Sequence, residues 1–286
     1  MTQIIDGKKV AEQVRSEVTE EVVKLKKETG IVPGLAAVLV GDNPASQIYV
    51  KNKRKACDEA GIYSEEYRLP QETAEKDLLS LIEKLNQDEN IHGILVQLPL
   101  PKQINETKIL RTVSPLKDID GFHPENVGLL VEGTPRFIPC TPYGVIKLLD
   151  HYGIEIEGKE AIVVGRSNIV GKPVSLLLLH RHATVTICHS RTRQLKEVTS
   201  RADILVAALG RARLITKDMV KEGAVVIDVG INRLLDGKLA GDVDFENVYD
   251  KVSFITPVPG GVGPMTIAML LSNTFSSARR STLPII

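Results

Sequence analysis

The chain has 286 residues, of which 43% are hydrophobic, and this is enough for two domains with apolar cores. Its 36 basic and 36 acidic residues cancel, so we expect it to bind neither nucleic acid nor membranes. Because the longest apolar runs are too short to span a bilayer and the N-terminus has neither a hydrophobic signal core nor an Arg-rich transit pattern, we expect a cytoplasmic protein.

The first half of the chain alternates helices with strands. Apolar residues at helical spacing predict an amphipathic helix over 7–29, which Gly30 ends. Thr73 is the predicted cap of a later helix. Further elements are predicted as a strand at 35–40, a helix at 44–60, a strand at 63–69, a helix at 73–86 and a strand at 93–96.

A predicted helix at 143–152 leads to a second unit with a final helix at 265–280. Its strands are predicted near 161–164, 184–188, 203–207, 225–229 and 253–255. The fold class that this pattern indicates is α/β, with two α/β domains and a cleft between them. The second domain is a Rossmann-like, doubly wound parallel sheet. The predicted boundaries are 1–140 and 141–265, with the final helix 266–286 packing back on the first domain.

The most informative segment joins the strand 161–164 to the next helix. Gly165 and Gly171 bound a tight loop, and Pro173 follows where a first helical turn accepts a proline. Backbone N–H groups and the helix dipole at such a site can hold a pyrophosphate, which indicates dinucleotide binding. The spacing is not the usual G-x-G-x-x-G, so an ordinary strand-to-helix turn also fits the glycine pair.

The residues after the strand 184–188 indicate which dinucleotide binds. Sites for NAD place an Asp or Glu here, whereas this chain has Ser190 and Arg191, and the glycine loop adds Arg166. The two arginines are cations and suit a 2′-phosphate, so NADP is favoured over NAD. The alternative is that these arginines are solvated surface charges.

A second group of candidate residues lies in the first unit. Ser46, Tyr49 and Lys53 share one face of a predicted helix, although such a stripe by itself also fits a solvent-facing surface. Gln97 directly follows a buried-looking strand, and ligands gather beyond the carboxyl ends of strands in open α/β sheets. Asp120 lies in a loop whose carboxylates we expect to be exposed.

A glycine- and proline-rich loop over 256–266 follows the last predicted strand. Its backbone carries few side chains and is suited to approach a flat ligand closely. A hinge between the domains explains the same composition equally well.

The cysteines and histidines give no sign of a metal site. Cys57, Cys140 and Cys188 are odd in number and lack metal-ligand spacing, and the six histidines are scattered. We therefore expect reduced, mostly buried thiols and no bound metal.

Five segments, taken together, carry a specific resemblance. They are 49–53, 96–101, 117–122, 165–173 and 257–266, in this order over almost the whole chain. They resemble the signature blocks of the bifunctional methylenetetrahydrofolate dehydrogenase/methenyltetrahydrofolate cyclohydrolase family, the bacterial FolD type. The resemblance implies a folate-binding catalytic domain over 1–140 and an NADP-binding domain over 141–265. It also implies NADP as cofactor, tetrahydrofolate one-carbon derivatives as ligands, and a homodimer contacting through the cofactor domains.

The resemblance assigns roles residue by residue. Lys53 is the catalytic lysine, Gln97 positions it, Tyr49 packs against the folate, Asp120 binds the pterin, and Ser46 is a further substrate-side group. Further implied substrate contacts are Pro259, Gly260, Gly261 and Val262. The cofactor-binding residues, from the glycine loop and the resemblance together, are Gly165, Arg166, Ser167, Gly171, Ser190, Arg191 and Ile231.

The implied reaction has two steps. Hydride transfer from 5,10-methylenetetrahydrofolate to NADP⁺ gives the 5,10-methenyl cation, and water then converts this cation to 10-formyltetrahydrofolate with Lys53 moving protons. Two alternatives remain. One is another two-domain NADP-dependent oxidoreductase of the shikimate-dehydrogenase kind, against which the loop 260–263 and the Tyr49/Lys53 spacing argue. The other is a non-catalytic NADP-binding regulator, against which intact Lys53, Gln97 and Asp120 argue.

Overall fold

The computed structural model of the protein describes residues 1–282, so the end of the predicted final helix, 283–286, lies outside the described residues. The chain divides into two compact units. The six-stranded unit consists of Met1–Glu12 and Thr141–Thr266, and the three-stranded unit consists of Gln13–Cys140 and the described residues from Ile267 onwards.

Helices and strands alternate through most of the described chain, and none of its helices is long and apolar enough to cross a bilayer. The α-helices are α1 (Gly7–Thr29), α2 (Pro44–Ala60), α3 (Glu75–Gln87), α4 (Glu106–Thr112), α5 (Pro124–Val131), α6 (Cys140–His151), α7 (Gly171–His180), α8 (Leu195–Thr199), α9 (Phe245–Val248) and α10 (Val262–Ser281). The strands are β1 (Gln3–Ile4), β2 (Gly34–Val40), β3 (Tyr63–Leu69), β4 (Gly93–Val96), β5 (Glu160–Val164), β6 (Thr184–Cys188), β7 (Ile204–Ala207), β8 (Val225–Asp228), β9 (Asn232–Arg233), β10 (Leu239–Ala240) and β11 (Phe254–Ile255).

The three-stranded unit is built on a parallel sheet in the order β3-β2-β4. All residues of the central strand β2 are buried, which explains why its sequence is a continuous apolar run instead of an alternating one. Helix α3 packs Leu78, Ile82 and Leu85 into the same core at helical spacing. The parallel register aligns Val38 with Val96, so the residue after β4 lies at the carboxyl edge of the sheet.

The six-stranded unit is built on a parallel sheet in the order β1-β11-β8-β7-β5-β6. The chain passes from β5 to β6 on one side and then returns to β7 on the other side of β5. The strand order therefore reverses between β5 and β7, and open α/β sheets bind their ligands beyond the carboxyl ends of the strands at such a switch point. This is the predicted Rossmann-like sheet. A short antiparallel pair, β9 with β10, lies apart from it.

The N-terminal segment differs from the predicted boundary, which gives residues 1–140 to one domain. Strand β1 pairs with β11, with Gln3 aligned to Phe254 and Ile4 to Ile255, and residues 1–12 therefore belong to the six-stranded unit. A strand of two residues is too short to show the alternation by which a sequence pattern is recognised.

The predicted cap of the helix at 73–86 is wrong. The helix begins at Glu75, Ala74 occupies the cap position without a side-chain hydrogen bond, and the Thr73 hydroxyl donates instead to Pro70 O at 2.7 Å. The hydroxyl thus closes a local turn before the helix, an alternative that Ser and Thr side chains commonly take.

Candidate functional site

A buried lysine lies at the carboxyl edge of the three-stranded sheet. Lys53, on α2, is 8% exposed, and its Nζ donates a hydrogen bond to Gln97 Oε1 at 3.1 Å. Gln97 follows β4, and its backbone N donates to Val38 O at 2.9 Å. Its Nε2 donates to Leu98 O at 2.8 Å, which leaves its Oε1 to face the lysine. Both polar atoms of the Gln97 amide are therefore hydrogen-bonded, and its orientation fixes the position of the Lys53 amine.

The other predicted residues of α2 line the same helix face. Ser46 is buried, and Tyr49 is half-buried with the pKa of its phenol raised by that burial. Within residues 1–282, Lys53 forms no ion pair. The stripe is therefore not a solvent-facing surface, and it presents a largely buried amine to a neutral amide.

Asp120 belongs to the same cluster of charges. Burial raises the pKa of its carboxyl group, whereas the nearby charge of Lys53 and the thiol of Cys140 lower it. The Cys140 Sγ lies 3.6 Å from Asp120 Oδ1. In the described chain this thiol is the one hydrogen-bond partner of the Asp120 side chain, so most of its acceptor capacity is open to a ligand.

Asp118, two residues earlier, accepts three hydrogen bonds from the chain around it. Its carboxylate accepts from His123 N at 2.7 Å, Phe122 N at 3.1 Å and Asn126 Nδ2 at 2.8 Å. It is 4% exposed, and burial raises its pKa to about 7 despite these donors. The expectation of exposed carboxylates in this loop is therefore wrong for Asp118, because the loop folds around that side chain, and Asp120 is half-buried.

Asn273 also holds the loop that carries Asp120, and sequence reasoning missed it. Its Nδ2, on α10, donates to Ile119 O at 2.8 Å and to Ile138 O at 2.9 Å. It thereby ties together the two segments from which Asp120 and Cys140 extend. An isolated Asn in an apolar helix was the only signal in the sequence.

In the six-stranded unit, the loop after β5 has room only for glycine at both ends. Gly165 has a φ of +146°, and a Cβ there would lie 2.2 Å from Ala208 O. A Cβ on Gly171 would lie 2.2 Å from Gly165 O. The Ser167 hydroxyl accepts from Val170 N at 3.1 Å and Gly171 N at 3.2 Å, which fixes the start of α7. The result is a loop with few side chains at the switch point, residues 165–171, which we call the glycine cradle.

The predicted phosphate-binding side chains are exposed. Arg166, Ser190 and Arg191 are all on the surface, and in the described part of the chain neither arginine forms an ion pair. The backbone N of Arg191 donates to His189 Nδ1 at 3.1 Å, which shapes the turn after β6. The turn contains no Asp or Glu, so none of its side chains competes with an anionic ligand for the two arginines.

The loop before α10 is shaped by close backbone contacts. The Val258–Pro259 peptide is cis, and Gly260 has a φ of +111°. A Cβ on Gly261 would lie 2.6 Å from Pro257 O, whose oxygen accepts the Gly261 N–H at 2.8 Å. The close contacts around Gly261 thus make the loop compact. Val262, the last of the predicted substrate contacts here, is buried as the first residue of α10.

The predicted site residues fall into two groups. The three-stranded unit holds Ser46, Tyr49, Lys53, Gln97 and Asp120. The six-stranded unit holds Gly165, Arg166, Ser167, Gly171, Ser190, Arg191, Ile231, Pro259, Gly260, Gly261 and Val262. Ile231 is 44% exposed in the segment after β8. The three cysteines are buried free thiols, as predicted.

Two family models together match almost the whole chain. The model for the tetrahydrofolate dehydrogenase/cyclohydrolase catalytic domain matches residues 5–120. The model for the NAD(P)-binding domain of the same family matches residues 139–282.

Individual relatives agree with these models. The bifunctional protein FolD of Moorella thermoacetica is 63% identical over 97% of this chain and 99% of its own length. A crystal structure of the bifunctional enzyme FolD from Campylobacter jejuni has a TM-score of 0.96 and 53% identity, covering 98% of this chain and 100% of that one. The FolD of Trypanosoma brucei, complexed with NADP cofactor and inhibitor, has a TM-score of 0.95 and 40% identity, with 98% of each chain covered. Shikimate dehydrogenase from Aquifex aeolicus, with 13% identity and a TM-score of 0.53, shares the fold alone.

Proposed function

Because this chain belongs to the tetrahydrofolate dehydrogenase/cyclohydrolase family, we infer that it catalyses two consecutive steps of folate one-carbon metabolism. It oxidises 5,10-methylenetetrahydrofolate to 5,10-methenyltetrahydrofolate with NADP⁺ and hydrolyses this product to 10-formyltetrahydrofolate. The alternative of a shikimate-dehydrogenase type is not supported, since those structures are similar in fold only. We propose that the three-stranded unit is the catalytic domain and the six-stranded unit the NADP domain.

The residues of the six-stranded unit fit the cofactor. NADP⁺ accepts the hydride of the first step when it is bound. The glycine cradle has no side chain at Gly165 or Gly171, so the backbone at the start of α7 allows the close approach that a pyrophosphate needs. We propose that Arg166, Ser190 and Arg191 bind the 2′-phosphate, since a guanidinium donates charge-assisted hydrogen bonds to phosphate oxygens. Ile231 is the proposed apolar contact at the nicotinamide end.

The folate is bound by a carboxylate and by an aromatic side chain. The Asp120 carboxylate is suited to accept two coplanar hydrogen bonds from the pterin N3–H and 2-amino group, since most of its acceptor capacity is open. We propose that Tyr49 packs against the folate and that Ser46 and the loop 259–262 contact it further. The chain's contribution to hydride transfer is then orientation.

The proton transfers of the second step are assigned to Lys53, and its hydrogen bond to Gln97 is the observation that carries this assignment. Water adds to the methenyl carbon, and we propose that the Lys53 Nζ accepts the proton that this water loses. The ring nitrogen then takes this proton from Nζ as its bond to the carbon breaks. The added hydroxyl releases its own proton to solvent as it becomes the C=O of the formyl group, which stays on the other nitrogen. Gln97 keeps the amine in one position through both transfers.

We also propose a homodimer that forms through the six-stranded unit. Strand β6 is an edge of the sheet, and Ile187 on it is 42% exposed. Leu179, on the neighbouring helix α7, is 53% exposed. An edge strand with unpaired backbone groups and apolar side chains favours pairing with a second chain. The absence of nucleic-acid and membrane partners remains our proposal from the balanced charge. A cytoplasmic location also remains a proposal.

The test of the proposed function is a single assay that follows both steps. The purified protein is given 5,10-methylenetetrahydrofolate and NADP⁺, and NADPH and methenyltetrahydrofolate are measured by absorbance while 10-formyltetrahydrofolate is measured by chromatography. We expect NADPH to equal the sum of the two folate products, with the formyl product dominant. Absence of NADPH would contradict the dehydrogenase, and formation of the formyl product no faster than in buffer would contradict the cyclohydrolase.

A further inference from the structure

Two buried aspartates of the six-stranded unit have no role in the chemistry described so far. Asp228, the last residue of β8, is 3% exposed, and Asp242, shortly after β10, is fully buried. Ionised carboxylates are costly to bury unless hydrogen bonds compensate them. Both side chains have such bonds, and nearly all of the donors are backbone N–H groups of loops.

The Asp228 carboxylate holds the segment that contains Asp242. Its Oδ1 accepts from Gly230 N and from Asp242 N, both at 2.9 Å, and its Oδ2 accepts from Val243 N at 2.9 Å. A Cβ on Gly241 would lie 1.8 Å from Asp228 Oδ2, so only glycine leaves room for this arrangement. The position of Asp242 is therefore fixed from the end of β8.

The Asp242 carboxylate in turn holds the loop that leaves β7. Its Oδ2 accepts from Leu209 N at 2.5 Å and Gly210 N at 2.9 Å, and its Oδ1 accepts from Arg211 N at 2.8 Å. Asn232 Nδ2 donates to the same Oδ1 at 2.9 Å. Three consecutive backbone N–H groups and one amide thus converge on a single carboxylate, and only an acceptor-only group satisfies them all.

The loops that Asp242 holds lie where a dinucleotide binds. Strand β7 is the partner of β5 across the switch point, and the closeness of Gly165 to Ala208 O places the start of the β7 loop against the glycine cradle. Asn232 directly follows Ile231, the proposed nicotinamide contact. One buried side chain therefore joins two loops at the carboxyl edge of this sheet.

We infer that Asp242 is a positioning residue for the cofactor: it gives the loop 209–211 and the segment around Ile231 the shape that binds NADP⁺. This inference rests on the proposed function, because NADP⁺ is the ligand concerned. Asp242 itself is fully buried, so its effect passes through the backbone that it holds.

The test compares Asp242→Asn with the wild type and with Asp250→Asn, an exposed aspartate of the same unit. An amide replaces one acceptor oxygen with a donor that faces backbone N–H groups. We expect the KM for NADP⁺ to rise by about tenfold or more. Cyclohydrolase activity, measured on methenyltetrahydrofolate without NADP⁺, should change by less than about twofold, since the proposed proton-transfer group lies in the other unit. Asp250→Asn should match the wild type in both assays.

Two outcomes would overturn the inference. One is a folded Asp242→Asn variant with the wild-type KM for NADP⁺, and the other is loss of both activities by one common factor, which indicates a merely structural role. If this variant does not fold, Asn232→Ala decides, because it removes one of the four donors. We then expect a rise of about threefold in that KM, and an unchanged KM would overturn the inference. A wild type that fails to reduce NADP⁺ would refute the proposed function instead.

Discussion

Asp118 and Asp120 stand two residues apart in one loop, yet their hydrogen-bond partners differ. Two backbone N–H groups and the Asn126 amide surround the Asp118 carboxylate, whereas a thiol is the described partner of Asp120. The Asp118 carboxylate uses its acceptor sites mainly to hold the loop in its fold. The Asp120 carboxylate keeps most of its acceptor sites for a ligand. The sequence D-I-D alone does not distinguish the two, because the donors around Asp118 come from the fold of the loop.

We predict that Asp120→Asn weakens folate binding by about 1–3 kcal/mol and leaves NADP⁺ binding unchanged. An amide offers one acceptor oxygen where the pterin edge presents two donors. Calorimetric titration with a folate analogue measures the effect, and Asp58→Asn, at an exposed position on α2, serves as the control. Unchanged folate affinity in the Asp120 variant would remove this residue from the site.

Asp118 gives a prediction for the pH dependence of stability. Because burial raises its pKa from 3.8 to about 7, the folded protein keeps a proton that the unfolded chain has lost between these values. The contribution of Asp118 to the free energy of unfolding should therefore fall as the pH rises from about 4 to about 7. Asparagine resembles the protonated form, so the difference in stability between the wild type and Asp118→Asn should fall over this window, by on the order of a few kcal/mol. Chemical denaturation at several pH values measures it, and a difference that rises with pH would contradict the assignment.

At the scale of elements, the main strands and the long helices were predictable, whereas the short helices were not. The helix at 7–29 and the strand at 63–69 have the predicted bounds, because each contains enough turns or alternations to define a period. Helices α4, α5 and α8 were not predicted, since at eight residues or fewer they show no repeated apolar face. The glycine pair at 165 and 171 was ambiguous in the sequence. The atoms that exclude a Cβ there are Ala208 O, after β7, for Gly165 and the backbone of Gly165 itself for Gly171, and the sequence shows neither contact.

The glycine loop and the turn after β6 together predict how the protein distinguishes NADP⁺ from NAD⁺. Arg166→Ala and Ser190→Ala should each raise the KM for NADP⁺ by about tenfold, because each removes a proposed contact to the 2′-phosphate. The KM for NAD⁺, which lacks this phosphate, should hardly change and is the internal control for each variant. Steady-state kinetics with both cofactors provide the test. An equal rise for the two cofactors would mean that these side chains bind the shared part of the dinucleotide.

At the scale of the whole molecule, the order of the segments along the chain did not indicate that the N-terminal residues belong to the six-stranded unit. Strand β1 completes the sheet of a unit whose remaining residues begin at Thr141. Such long-range pairing leaves no local pattern, because its hydrogen bonds join Gln3 to a strand near the other end of the chain. The proposed catalytic residues Lys53, Gln97 and Asp120 needed no such pairing to be named as candidates, since helix spacing, a place after a strand and the resemblance point to them.

The proposed homodimer is tested by a charge on the edge strand. Ile187→Glu places a carboxylate on β6, and its desolvation should dissociate the dimer at concentrations where the wild type remains dimeric. Sedimentation equilibrium measures the mass of each. Val23→Glu is the matched control, since Val23 is 62% exposed on α1 in the other unit. A monomeric wild type, or an Ile187→Glu variant as dimeric as the control, would argue against this interface.

The central claim is that one chain performs both steps and that Lys53 moves the protons of the second. Lys53→Met keeps the length and apolar stem of the side chain but removes the amine. We predict that cyclohydrolase activity falls by about 10²–10⁴, the usual contribution of a positioned acid or base, while the dehydrogenase loses much less.

The decisive measurement is the product that Lys53→Met releases from 5,10-methylenetetrahydrofolate and NADP⁺, followed by NADPH and methenyl absorbance together. We predict that methenyltetrahydrofolate accumulates in step with NADPH, whereas the wild type forms the 10-formyl product. A variant that still forms 10-formyltetrahydrofolate at the wild-type rate, or that loses both activities by the same large factor, would contradict it.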